Sequence, residues 1–188
     1  GSVGRALPHN QIRITSEGEI QVKGNQMLGY LGEALVSGDW LSTGDIGHLD
    51  ADGFLYIEGR KKNIFITSYG RNVNPEWLES ELCSAYEIAQ SIVFGEAQAF
   101  NIAIIFPRFS YLSDQQLQKA IDQVNDCLPG YARVTKWIRA EVPFTYERGL
   151  ATSNGRPKRQ NILNYFNAQM RALYKQANHE RLACEQTT

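Results

Sequence analysis

The sequence predicts an α+β protein in two parts. A small all-β segment spans residues 1–59, and a compact α+β domain with a short sheet and flanking helices spans residues 60–178. Three observations predict this. Up to Glu58 the apolar residues recur in short alternating runs, the period of half-buried strands. After Gly59, short apolar runs and helical spacings are mixed. Between them lies Gly59-Arg60-Lys61-Lys62, where a glycine lets the backbone bend and three adjacent cations resist burial together. Read as charge alone, that cluster is a solvated turn.

The elements follow in order. Gln11-Ile12-Arg13-Ile14 and Glu19-Ile20-Gln21-Val22 alternate on either side of Ser16-Glu17-Gly18, which predicts a hairpin. Gly24 to Gly32 reads as a loop with Met27, Leu28 and Tyr30 as apolar anchors. Trp40-Leu41-Ser42-Thr43-Gly44-Asp45 reads as the polar end of a short apolar piece. Asp52-Gly53 between His48-Leu49 and Phe54-Leu55-Tyr56-Ile57 predicts a second hairpin. Ile64-Phe65-Ile66-Thr67 is β-prone and leads into a Ser68-Tyr69-Gly70 turn. Asn74 and Pro75 then suit the cap and first position of a helix, with Glu76 and Glu79 favouring its positive end. Trp77, Leu78, Leu82 and Ala85 give that helix its buried face. Ser91–Phe94 and Ala103–Phe106 are apolar strands. Ser113 with Gln116 forms a capping box ahead of Leu117, Ala120, Ile121, Val124 and Leu128, and Pro129-Gly130 ends the helix. A strand lies within Val134 to Val142. A polar loop from Leu150 to Arg159 precedes a last helix with Leu163, Phe166, Met170 and Leu173 on one face. Residues 179–188 lack a strong apolar period and are expected to fray.

Composition narrows the function. A net charge of -1 argues against a general nucleic-acid binder. No apolar run reaches the length of a membrane span. Cys83, Cys127 and Cys184 are odd in number and far apart, and the three histidines are equally scattered, so neither a metal site nor a disulfide framework is expected. A reducing cytoplasm is the simplest home for such thiols. A β segment of this size buries little surface by itself. With no start methionine, the chain is expected to be the carboxyl-terminal part of a longer protein.

Gly18-Glu19-Ile20-Gln21-Val22-Lys23-Gly24, Gly29-Tyr30, Trp40-Leu41-Ser42-Thr43-Gly44-Asp45, Gly59-Arg60-Lys61-Lys62 and the run from Ile64 to Glu79 occur in order. Together they resemble the adenylate-forming acyl-CoA synthetase superfamily of AMP-binding enzymes, which includes firefly luciferase and the adenylation domains of peptide synthetases. The Gly-Arg-Lys-Lys form and the Thr-Ser-x-Gly-x-Asn-Val-x-Pro run are closest to long-chain fatty acyl-CoA ligases. The likeness covers Gly1 to about Phe166. It implies that residues 1–59 end a large AMP-binding domain and that residues 60–178 are the C-terminal lid domain. It also implies an enzyme that activates a carboxylic acid with MgATP as acyl-AMP and passes the acyl group to CoA. The phosphate loop, the acyl pocket and most Mg2+ contacts of such enzymes lie upstream of Gly1, so this piece alone is expected to be inactive.

The resemblance assigns roles one by one. Asp45 matches the acid that binds the AMP ribose, and Arg60 a second ribose or phosphate contact. By themselves they read as a turn-capping acid and a surface cation. Lys62 matches the hinge about which the lid rotates between half-reactions. Ser68, Tyr69 and Gly70 match the loop that meets the pantetheine arm, with Lys61 and Arg71 as cations near the CoA phosphates. Arg156 stands where the family carries the lysine that contacts the carboxylate and α-phosphate, and Lys158 is the second candidate. Two alternatives stay open: an acyl-AMP ligase that loads a carrier protein, and a non-catalytic nucleotide-binding homologue, which Arg156 favours.

Overall fold

The computed structural model describes residues 1–24 and 38–185, with side chains as far as Ala177. The expected loop anchors Met27, Leu28 and Tyr30 lie outside the described residues. The chain forms two compact units, Gly1–Ile64 and Phe65–Thr188. The division falls just beyond Lys62.

The first unit is an antiparallel meander. β1 (Gln11–Ile14), β2 (Glu19–Lys23), β3 (Leu41–Leu49) and β4 (Leu55–Arg60) lie side by side in that order. Both expected hairpins form, with Ile12 opposite Val22 and Leu49 opposite Leu55. Asp50 closes the second by accepting the amides of Asp52 and Phe54 on Oδ1, an Asx turn. The Ser42-Thr43-Gly44-Asp45 stretch differs from expectation. It is not the end of a piece but the first half of the longest described strand, with Ser42 paired to Gln21 of β2 and Asp45 paired to Arg60 of β4. Gly44 keeps a turn-like φ of +73°, and the strand passes there through an irregularity between Ser42, paired to β2, and Asp45, paired to β4. Among the described residues of this unit only Ile20 and Leu55 are buried apolar side chains, a thin core for a four-stranded sheet.

The second unit opens with a hairpin, β5 (Phe65–Ile66) and β6 (Asn72–Val73). There follow α1 (Pro75–Ser84), β7 (Ile88–Phe94), β8 (Asn101–Pro107), α2 (Asp114–Cys127), β9 (Val134–Arg139) and α3 (Arg159–Glu185). The sheet order is β7-β8-β9; β7 pairs antiparallel with β8, and α2 carries the chain over to a parallel β9. The central strand sends alternate side chains to opposite faces. Ala103 and Ile105 pack with Leu78 and Leu82 of α1 and with Leu117 and Ile121 of α2. Ile102 and Ile104 pack with Ile162, Phe166 and Met170 of α3.

The caps are as expected. Asn74 Oδ1 accepts the amides of Glu76 and Trp77, and Ser113 with Gln116 completes the capping box. Three details depart from the sequence reading. Trp77 is half-exposed and donates to Glu81, while Pro75 joins Leu78 and Leu82 on the buried face. Ile162, absent from the expected face of α3, is fully buried, whereas Leu163 and Leu173 are only partly covered. α3 also continues past His179 to Glu185, where fraying was expected.

Candidate functional site

In the first unit the fold joins the two expected nucleotide contacts. Asp45 on β3 and Arg60 on β4 are cross-strand partners, and Arg60 Nε lies 2.8 Å from Asp45 Oδ1. Arg60 Nη1 also donates to the Thr43 carbonyl at 3.1 Å. Thr43 Oγ1 donates to the Ile20 carbonyl and accepts the Asp45 amide, so the backbone presenting the carboxylate is anchored to β2. One Asp45 oxygen is held by the guanidinium, and the carboxylate retains further lone pairs as acceptors.

Lys62 sits in a short 3-10 turn, Lys61–Asn63, with its side chain exposed and without an ion pair among the described residues. Lys61 differs from the expectation of a cation awaiting phosphates. Its Nζ lies 2.7 Å from Glu17 and 3.0 Å from Glu19, so its charge is already compensated across β2. The ammonium holds the Glu17 carboxyl below the usual carboxylate range.

In the second unit Ser68-Tyr69-Gly70 is the tip of the β5–β6 hairpin. Gly70 takes φ +71°, a conformation glycine adopts without strain, and its amide donates to the Thr67 carbonyl. Ser68 donates its amide to the Gln98 carbonyl. Beside this tip is a cavity of about 310 Å³ lined by Tyr69, Arg71, Phe100, Asn101, Tyr131 and Arg133, among others. Asn101 is buried, and its Nδ2 donates to the carbonyls of both Tyr131 and Arg133 at 3.1 Å. Its Oδ1 is buried without a hydrogen-bond partner among the described residues. The sequence reading found Tyr69 and Arg71 but missed Arg133, Tyr131 and Asn101. No linear motif joins them to the loop; β8 and the turn before β9 bring them there.

Arg156 and Lys158 lie on one extended arm. Ala151 pairs with Pro157, Thr152 N–H donates to the Arg156 carbonyl, and Lys158 N–H donates to the Leu150 carbonyl. Thr152 Oγ1 also accepts the Arg156 amide. Alternation along this arm turns both cations to the face opposite Pro157. Both are exposed and make no ion pair among the described residues. Arg159, the third cation, is engaged differently. Its Nη1 lies 2.6 Å from Glu79 Oε1, its Nη2 donates to the Val93 carbonyl, and its guanidinium lies over the Phe94 ring. Glu79 therefore does not serve the positive end of α1. It pairs with α3 and accepts the Val93 amide at 2.8 Å. Burial pushes its carboxyl above the usual range, against the pull of Arg159.

Among the described residues no three His, Cys, Asp or Glu side chains gather as a metal ion would require, and Asp45, the acid nearest the expected chemistry, is paired to Arg60. This donor set does not fit Mg2+. No helix among the described residues is long and apolar enough to cross a membrane.

The described residues thus present a carboxylate braced by an arginine in the first unit, and an exposed cationic arm and a glycine-tipped loop beside an arginine-lined cavity in the second. Residues 62–178 fit the AMP-binding enzyme C-terminal domain, and the chain belongs to that family. Among its relatives, the long-chain-fatty-acid–CoA ligase FadD15 of Mycobacterium tuberculosis is 31% identical across 93% of this chain and 34% of its own length. The human long-chain-fatty-acid–CoA ligase 1 is 32% identical across 93% of this chain and 31% of its own. The chain thus spans about a third of the length of these relatives. Bacillus subtilis o-succinylbenzoate CoA synthetase, solved with its acyl-adenylate intermediate, superposes with a TM-score of 0.70 at 26% identity, over 86% of this chain and 35% of that one.

Proposed function

We propose that the chain is the carboxyl-terminal part of an ATP-dependent, AMP-forming ligase that activates a fatty acid and transfers it to CoA. The observation that carries this reading is the Asp45–Arg60 pair. A carboxylate accepts hydrogen bonds from both ribose hydroxyls, which a neutral side chain does less strongly. Arg60 holds that carboxylate oriented. In the first half-reaction a carboxylate oxygen of the acid attacks the α-phosphorus of ATP, and the bond to pyrophosphate breaks. Arg156, with Lys158 beside it, supplies positive charge to the oxygens on which charge accumulates. Lys62, exposed at the junction of the two units, is the hinge residue, since a hinge has to be free of packing. In the second half-reaction the CoA thiolate attacks the acyl carbon and AMP leaves. Ser68-Tyr69-Gly70 lets the pantetheine arm pass close to the backbone, and Arg71 and Arg133 face its phosphorylated end. That cavity favours CoA over a carrier protein, which presents the same thiol arm without a nucleotide. MgATP would rely on residues outside this chain.

The test is ATP–pyrophosphate exchange by the longer protein that carries this chain, across a panel of fatty acids. Asp45→Ala is expected to raise the KM for ATP by about ten- to a hundredfold, the loss of a charged hydrogen-bond acceptor. Unchanged KM would remove Asp45 from the nucleotide site. The second reading, a nucleotide-binding homologue without turnover, rests on Arg156 in place of lysine. Nucleotide binding with no exchange for any acid would establish it.

A further inference from the structure

We propose that Glu79 and Arg159 are a positioning pair that aims the arm carrying Arg156 and Lys158, and that they govern the adenylation half-reaction more than the thioester half-reaction. This rests on the role given to the arm above. The arm is rooted at both ends. On one side Leu150 and Ala151 are buried, with Leu150 in the cluster that packs under α3. On the other side the chain enters α3 at Arg159, where an ion pair adds to the hydrogen bonds from Lys158 N–H to the Leu150 carbonyl and from Asn161 Nδ2 to the Gly149 carbonyl. Glu79 from the middle of α1 accepts the Val93 amide and the Arg159 guanidinium on one oxygen, Oε1. Arg159 returns to the Val93 carbonyl. Three elements, α1, β7 and α3, are thereby joined at one point next to Lys158.

Stability alone does not account for such a pair. Two largely buried charges cost desolvation, and apolar side chains of similar volume commonly pack as well or better. What the ion pair adds is direction. A guanidinium gripped by a carboxylate and a carbonyl fixes the orientation of its own backbone, and with it the residues just before it. An arm misplaced by about 1 Å loses on the order of a hundredfold in a step that depends on alignment. A thioester step in which the arm takes no part is spared.

The experiment uses Glu79→Gln, Arg159→Ala and Arg159→Lys in the longer protein, measuring pyrophosphate exchange separately from thioester formation with supplied acyl-AMP. Expected are losses of about thirty- to a hundredfold in exchange for the first two, thioester formation within about threefold, and a smaller exchange loss for Arg159→Lys, which keeps the charge but not the fork. Equal losses in both halves, or none, would overturn the proposal by reducing the pair to a structural contact. Hydrogen exchange on the same variants in this 188-residue chain decides the matter independently of activity. The amides of Thr152, Gly155, Arg156 and Lys158 are expected to exchange about tenfold faster while those of β8 keep their protection. Unchanged arm protection would also overturn it. A wild-type protein with no exchange activity would remove the ligase reading and leave the arm measurement to decide.

Discussion

Arg156→Ala lowers ATP–pyrophosphate exchange by about a hundred- to a thousandfold, while Arg156→Lys preserves or raises it; this is the outcome expected if Arg156 works at the α-phosphate. Removing one preorganised charge donor from a developing oxyanion costs that much in comparable sites. The lysine substitution keeps the charge and shortens a planar fork to a point. The arm favours this assignment because Thr152 binds Arg156 at both its amide and its carbonyl. Lys158 shares the same face and is the rival. Little loss in Arg156→Ala together with a severe loss in Lys158→Ala would transfer the role to Lys158. Pyrophosphate exchange at saturating ATP separates the two outcomes, since both act on kcat and not on nucleotide affinity.

Gly95→Ala is expected to destabilise the second unit by about 1–3 kcal/mol, the range for forcing added atoms into a packed interior. A Cβ at Gly95 would stand 2.5 Å from Asn101 Oδ1 and 2.7 Å from the Phe65 ring. Neither neighbour yields easily. Phe65 is buried in the main cluster, and Asn101 is held by two carbonyls. Displacing Asn101 would release the backbone of Tyr131 and Arg133, so the KM for CoA is expected to rise together with the loss of stability. Denaturant unfolding of the chain measures the first effect and steady-state kinetics the second. A midpoint unchanged from wild type would mean that the Phe65 ring swings aside at no cost.

Much of this fold was legible in local pattern. The hairpins at Ser16-Glu17-Gly18 and Asp52-Gly53, the Asn74-Pro75 helix start and the Ser113–Gln116 capping box each depend on residues a few positions apart, and each formed. What local pattern hid depends on partners far along the chain. Ser42-Thr43-Gly44-Asp45 looked like an end because Gln21 and Arg60, the strand partners of Ser42 and Asp45, cannot be seen in its own composition. Glu79 looked like a dipole-favouring acid, yet its partner is eighty residues away. At the site, the sequence named Asp45 and Arg60 but not their contact, and it placed Lys61 near CoA phosphates where the structure shows it bound to Glu17 and Glu19. Arg133 and Asn101 carried no motif at all, since the cavity they line exists only once β8 and β9 lie parallel.

The Asp45–Arg60 pair is electrically balanced before a ligand arrives, whereas Arg71 and Arg133 make no ion pair among the described residues. Under the proposed roles, ribose is held by short-range hydrogen bonds at a neutral point, and CoA is drawn by unopposed positive charge. Dissolved ions screen the second far more than the first, because screening acts on net charge over about 10 Å at 0.1 M. Raising sodium chloride from about 0.05 to 0.5 M is therefore expected to weaken CoA binding several-fold and leave adenosine binding nearly level. The ionic strength of the medium would then set which of the two co-substrates limits the enzyme.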